Sequence, residues 1–210
     1  METCAIPENP EKEPVNGAAT AKVRTKPREF DSYTKYALTE KQIRMLLESC
    51  YDQNDRVMIL IGYRYGLRRD DLAKIETNNV DLKNSTLIYY EQKKRRMRQI
   101  PIEADVLREI RILINSSKKR KYLLSWHDGS TCWRHLQDLC EVAGVPIPPG
   151  RDGLPFHALR GTCIKFRQSQ GWTINQCAAL IGDTVATVTA HYATTTPSEL
   201  AELMNSNTNK

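Results

Sequence analysis

Between Asn79 and Ile102 the apolar pattern of this chain changes period, and that change limits the folds open to it. Before it, Ile43, Leu46, Leu47 and Cys50 recur at helical spacing. Within it, Val80-Asp81-Leu82, Thr86-Leu87-Ile88-Tyr89-Tyr90 and Arg98-Gln99-Ile100-Pro101-Ile102 read as three short strands separated by turns. Strands in direct succession make an antiparallel meander. Pro101 has no amide hydrogen to give a neighbour, which restricts the third strand to an edge or a strand end. One small three-stranded antiparallel sheet in an otherwise mainly helical chain gives an α+β fold.

Local punctuation places the helices. Thr39 with Gln42 three residues on is a capping box, in which each side chain satisfies an amide that the first turn leaves open. A second helix spans about Asp55 to Tyr65, is apolar through Val57-Met58-Ile59-Leu60-Ile61 and is stopped by Gly66. Further helices are expected from Glu103 to about Asn115 and from about Ser130 to Ala143, with a short extended piece at Lys121-Tyr122-Leu123-Leu124 between them. A proline-stiffened loop from Val145 to Gly153 leads into the stretch Phe156 to Tyr192. There a helix carries His157 and Arg160, and Leu159, Cys163 and Phe166 form the stripe that should face the core. Thr173 and Gln176 box a second helix that Gly182 ends, and Asp183 is placed to cap a third. Thr196-Pro197-Ser198-Glu199 opens a last short helix through Leu200 to Met204. Residues 1–36, with five prolines and glycines among few large apolar side chains, read as a disordered, partly basic arm. The folded domain is then 37–196, followed by a C-terminal helix and tail at 197–210.

Charge matters here because it is concentrated. Lysine and arginine exceed acids by 31 to 25, a net +6, and cluster at Lys93-Lys94-Arg95-Arg96-Met97-Arg98 and Lys118-Lys119-Arg120-Lys121. A single basic run is usually a solvated loop; two beside a histidine-arginine pair point to a phosphate backbone. The six cysteines form no CxxC pair, so a reduced, cytoplasmic setting is expected rather than a disulfide framework. His127, Cys132, His135 and Cys140 fit no standard zinc spacing, and neither metal nor cofactor is expected. No apolar run has the length needed to cross a bilayer.

The chemistry-bearing residues come in pairs three apart. Arg68 and Asp71 sit in Gly66-Leu67-Arg68-Arg69-Asp70-Asp71-Leu72, where the carboxylate can orient the guanidinium. His157 and Arg160 project from one helical face, where they can meet one small anion. Tyr192 stands at the end of the same stretch, nine residues beyond the Gly182-Asp183 turn. Taken singly, each has an ordinary structural explanation: an ion pair, a hydrogen-bonded histidine, a core aromatic on a stripe with Val185 and Val188. Together, and in this order, they resemble the tyrosine recombinase or phage integrase family, whose boxes read Gly-Leu-Arg-x-x-Glu-Leu, a hairpin lysine followed by Arg-x-Val-Pro-Leu, His-x-x-Arg, Leu-Gly-His and a nucleophilic Tyr. The resemblance covers about Leu38 to Met204.

That resemblance implies a site-specific DNA recombinase, of integrase or invertase type, that cleaves and rejoins strands through a 3′-phosphotyrosine. It implies that Arg68 and Arg160 clamp the scissile phosphate, that Tyr192 attacks and that His157 is the base or hydrogen-bonding partner. A hairpin lysine would protonate the leaving 5′ oxygen; family spacing puts it at Lys93, with Lys94 a close rival. Asp71 and Asp183 would support the site, and Lys94, Arg95, Arg96, Arg98 and Arg167 would contact DNA. The implied partners are double-stranded DNA and further copies of the chain, as a dimer or tetramer held through the C-terminal helix, unless that helix folds back on its own domain. Two departures stand out. Asp183 replaces the usual His or Trp, and a carboxylate aimed at a phosphate would repel it, so Asp183 is expected to turn away and cap the next helix. In place of the domain that closes a clamp around DNA in most relatives only the short arm is expected, so the chain resembles the minimal, catalytic-domain-only members or a truncated integrase. Two other functions fit the same residues: a DNA-binding regulator that does not cut, and a type IB topoisomerase-like relaxing enzyme.

Overall fold

The computed structural model describes residues 36–116, 120–146 and 154–192, together with 201, 204 and 205. Almost all of the arm, most of the expected C-terminal helix and most of the proline-rich loop lie outside the described residues. Among the described residues up to 192, eight α-helices and one sheet follow in the order α1 (Glu40–Glu48), α2 (Gln53–Tyr65), α3 (Arg69–Ala73), β1 (Val80–Asp81), β2 (Thr86–Glu91), β3 (Arg96–Pro101), α4 (Ala104–Ser116), α5 (Gly129–Val142), α6 (Leu154–Ser169), α7 (Ile174–Ile181) and α8 (Val185–Tyr192). The chain is thus mainly helical with one small antiparallel sheet of order β1-β2-β3.

Both capping boxes form. Thr39 and Thr173 accept hydrogen bonds from the amides of Gln42 and Gln176, whose side chains bond back to the cap amides. Asp52 starts α2 two residues before the expected first turn, by accepting from the amides of Asn54 and Asp55. Gly66 ends α2 in the left-handed region, at φ 60°. A side chain there would be strained by that φ, and its Cβ would come within 2.9 Å of Ile181 Cγ2.

Helix α2 is apolar on all sides because it is surrounded: it packs against α6 and α4, with α5 and α1 also in contact. Val57, Met58, Ile59 and Ile61 are fully buried, each contributing roughly 1.5–3 kcal/mol through burial of its apolar surface. β3 ends at Pro101, as its missing amide hydrogen requires, and pairs in register with β2, so that Leu87 faces Ile100 and Glu91 faces Arg96. Burial alternates along β2, with Leu87, Tyr89 and Glu91 inward. The extended piece expected at Lys121–Leu124 is reduced to a single bridge between Tyr122 and Glu76.

The apolar interior has two parts. The main core runs from α1 through the sheet to Leu159. A smaller cluster of Cys163, Ile164, Cys177, Ala178, Ile181, Val188 and Tyr192 joins α7 and α8 to the outer part of α6. Cys132 and Cys140 are core residues, His135 stacks on Trp126 and lies 3.2 Å from Asp55 Oδ1, and His127 stacks on Tyr122. Among the described residues no helix is long and apolar enough to cross a membrane.

Candidate active site

Three cations from separate segments meet on one carboxylate. Arg68 follows the Gly66 turn as the residue before α3. Its Nη2 donates to Asp183 Oδ2 at 3.0 Å, and its Nη1 donates to Glu91 Oε1 at 2.7 Å. Arg160, whose side chain is 2% exposed, donates through Nη2 to the same Asp183 Oδ2 at 2.6 Å and through Nη1 to the Gly66 carbonyl. Gly66 therefore both ends α2 and orients the second arginine. Lys94 Nζ donates to the Gly182 carbonyl at 2.6 Å and lies 3.3 Å from Asp183 Oδ1.

This overturns the expectation that Asp183 turns away to cap α8. Thr184 caps that helix, accepting from the Thr187 amide at 3.1 Å. The choice follows from magnitudes. Hydrogen bonds to charged groups contribute about 1.5–3 kcal/mol each, against about 0.3–1 kcal/mol for a charge at a helix terminus. Burial would raise the Asp183 carboxyl, but the hydrogen bond and charge of Arg160, with Arg68 and Lys94, override it and hold the group below its ordinary range.

Glu91, which is not among the residues expected from the sequence, also belongs to this cluster. Only 1% exposed, it bridges Arg68 and, through Oε2, Arg96 Nε at 2.8 Å. Burial would raise this carboxyl too, but bonds from Arg96 and Arg68 hold it down. A signal was available: Glu91 is in phase with Leu87 and Tyr89 on the inward face of β2, and a buried acid needs a cation. Asp71, expected to orient Arg68, is 3.9 Å from its Nη1 and instead accepts from the Gln92 amide at 2.9 Å. Burial pushes its carboxyl up. Asp71 anchors the start of the hairpin turn while Glu91 fixes the arginine.

The basic hairpin sorts into inward and outward residues. Gln92–Lys94 form one turn of 3-10 helix, in which successive side chains diverge by about 120°, so one lysine at most can face the arginines. That lysine is Lys94; Lys93 is exposed and outside the cluster. Arg95, at φ 50°, reverses the chain and is exposed with Arg96. Arg98 is not an outward DNA contact: it donates to the carbonyls of Ala179 (2.5 Å) and Leu180 (3.2 Å) at the end of α7 and to the Tyr89 hydroxyl. Gly182, at φ 74°, leaves room for that guanidinium, which a Cβ would strike. Arg167 is also withdrawn from any DNA surface. It is 4% exposed, bonded to Glu103 Oε1 at 2.8 Å and to the Arg64 carbonyl, because a cation at that inward position of α6 must find an anion.

His157 is half-buried in the first turn of α6, one turn before Arg160. Tyr192 is the last residue of α8 and 4% exposed, packed in the smaller apolar cluster.

A sequence model of the phage integrase family matches residues 36–199. The chain belongs to this family. Tyrosine recombinase XerA of Pyrococcus furiosus is 26% identical over 180 residues, which cover 79% of this chain and 59% of the relative. The chain spans about three fifths of the length of the curated relatives it matches. Among integrase-family structures, that of XerA recombinase superposes with a TM-score of 0.69 at 20% identity, covering 81% of this chain and 64% of that one. The catalytic domain of bacteriophage HP1 integrase superposes with a TM-score of 0.60 at 21% identity, covering 80% and 93%. The fold is that of the integrase catalytic domain.

Proposed function

We propose that residues 37–196 are the catalytic domain of a site-specific DNA recombinase that cleaves and rejoins strands through a 3′-phosphotyrosine. The observation that supports this best is the convergence of Arg68, Lys94 and Arg160 on the two oxygens of one carboxylate. One guanidinium nitrogen from each arginine and an ammonium so placed suit the non-bridging oxygens of a phosphodiester, and stabilise the added charge of a pentacoordinate phosphorus. Tyr192 Oη attacks phosphorus, the bond to the 5′ oxygen breaks, and Lys94 gives that oxygen a proton. His157 takes the tyrosine's proton, which leaves unaided only near pH 10. The phosphotyrosine conserves the bond, so the 5′ hydroxyl of another strand can reverse the attack without ATP.

Duplex DNA is the proposed partner, with copies of the chain joined on it through residues 197–210 and with the arm, residues 1–36, lying along the duplex. The exposed Lys93, Arg95 and Arg96 flank the site as phosphate contacts. This activity belongs in the cytoplasm, on the nucleoid. A second reading, a regulator that binds DNA without cutting, draws on the Asp183 carboxylate standing where a phosphate would bind.

The test is incubation with duplex DNA spanning the flanks of its own gene, followed by a denaturing gel, with Tyr192→Phe in parallel. A protein band joined to a 3′ end, lost in the variant, is the expected result. A shift on a native gel with no covalent band would select the regulator instead.

A further inference from the structure

We propose that Asp183 is a built-in competitor for the phosphate site, which excludes small free anions and yields only to a phosphodiester held by contacts elsewhere on a duplex. This rests on the reading above that Arg68, Lys94 and Arg160 receive a phosphodiester.

The competition is geometric. Asp183 Oδ2 takes one nitrogen from each arginine and Oδ1 faces Lys94, so the carboxylate satisfies the groups that would hold two phosphate oxygens. It is also electrostatic. Arg68 already faces two anions, Glu91 and Asp183, and Asp183 also compensates Arg160 and Lys94; a phosphate entering beside both would set a third anion against one arginine fork. The carboxylate must therefore leave before phosphate can bind.

The turn that carries Asp183 favours its return. Gly182 is left-handed, the Asp183 amide bonds to the Ala178 carbonyl at 2.9 Å, and Arg98 ties the end of α7 to the hairpin. A group held this way competes as an intramolecular ligand, and free phosphate has to overcome its effective concentration as well as its bonds. Departure is nonetheless local. Thr184 caps α8, so the Asp183 side chain can rotate outwards without unwinding that helix. Contacts from a bound duplex to the exposed Arg95 and Arg96 would supply the free energy for that rotation. Asp183 would thereby restrict the chemistry to extended DNA.

Titration of the full chain with inorganic phosphate at constant ionic strength, read by calorimetry and by thermal shift, tests this directly. Asp183→Asn removes the charge and keeps the shape; Asp183→His is the second variant. Both should bind phosphate at least tenfold more tightly than the unaltered chain, and Arg68→Ala added to either should abolish the gain. Equal phosphate affinity in all three proteins overturns the proposal. Should a variant fold poorly, rescue by phosphate but not by chloride supports the competition, and absence of rescue counts against it. The denaturing gel separates this from the parent reading. A Tyr192-dependent covalent band with unchanged phosphate affinity leaves the recombinase without the competitor; tighter phosphate binding with no covalent band in any protein leaves the competitor without the recombinase.

Discussion

Arg68 holds Asp183 through one nitrogen and Glu91 through another, so its orientation depends on two acids that are far from it in sequence. Glu91→Gln keeps the shape and removes the charge. The expected outcome is a loss of about 1–3 kcal/mol in stability by urea denaturation, the range for a buried hydrogen bond to a charged group. Covalent complex formation should also slow by about tenfold, the equivalent of about 1.4 kcal/mol in the barrier, with DNA affinity held or improved because a negative charge has gone. Acid sensitivity follows from the same contacts. Asp183 and Glu91 have folded pKa values held below their unfolded ones, so their stabilisation is fully present above the ordinary carboxylate range, near pH 4, and is lost as pH falls through the depressed values. Asp183→Asn should accordingly cost about 3 kcal/mol at pH 7, where it leaves Arg160 buried without its anion, and progressively less as the pH drops below 4. Denaturation midpoints of both proteins across that range check the sign; a constant difference would contradict it.

At the scale of elements, the hairpin and the end of α7 act as one unit because Arg98 and Lys94 both reach across to α7 carbonyls or the turn beyond them. Arg98→Ala should loosen that turn, costing about 1–2 kcal/mol and speeding exchange of α7 amides, whereas removing the exposed Lys93 and Arg95 should leave stability within about 0.5 kcal/mol. The same two changes should separate on DNA: binding by the Lys93/Arg95 double variant should lose salt dependence, by a slope of about two in log affinity, which the Arg98 variant keeps. This division marks what could be read from sequence. The Thr39 and Thr173 boxes, the Gly66 and Gly182 stops and the Pro101 strand end were legible because each signal and its consequence lie within a few residues. The interior roles of Arg98 and Arg167 were not, since composition shows a cation and not its partner: Arg167 finds Glu103 at a separation of 64 residues. Arg68 finds Asp183 across 115. The choice of Lys94 over Lys93 turned on one 3-10 turn whose phase no spacing rule fixes.

For the whole molecule, the division of the interior into two clusters sets what can move. The arginines and the hairpin are anchored to the main core, but Tyr192 belongs to the smaller cluster with α7 and α8. Helix α8 is eight residues long and rich in β-branched side chains, including Val185, Thr187, Val188 and Thr189, whose helix propensity is poor. So short a helix is held by the few side chains it buries, Val188 and Tyr192 foremost, and not by its own hydrogen bonds. On the proposed reading Tyr192 is carried by a helix that rests on the smaller cluster, so α8 can shift without the main core following. Hydrogen exchange should therefore show α8 amides opening well before those of α2, by a local route insensitive to mild denaturant. On binding duplex DNA, α8 should change protection while α2 does not, and Val188→Ala should accelerate α8 exchange and destabilise the cluster by about 1 kcal/mol or more. If α8 and α2 exchange together, the two clusters unfold as one and α8 has no motion of its own with which to adjust Tyr192.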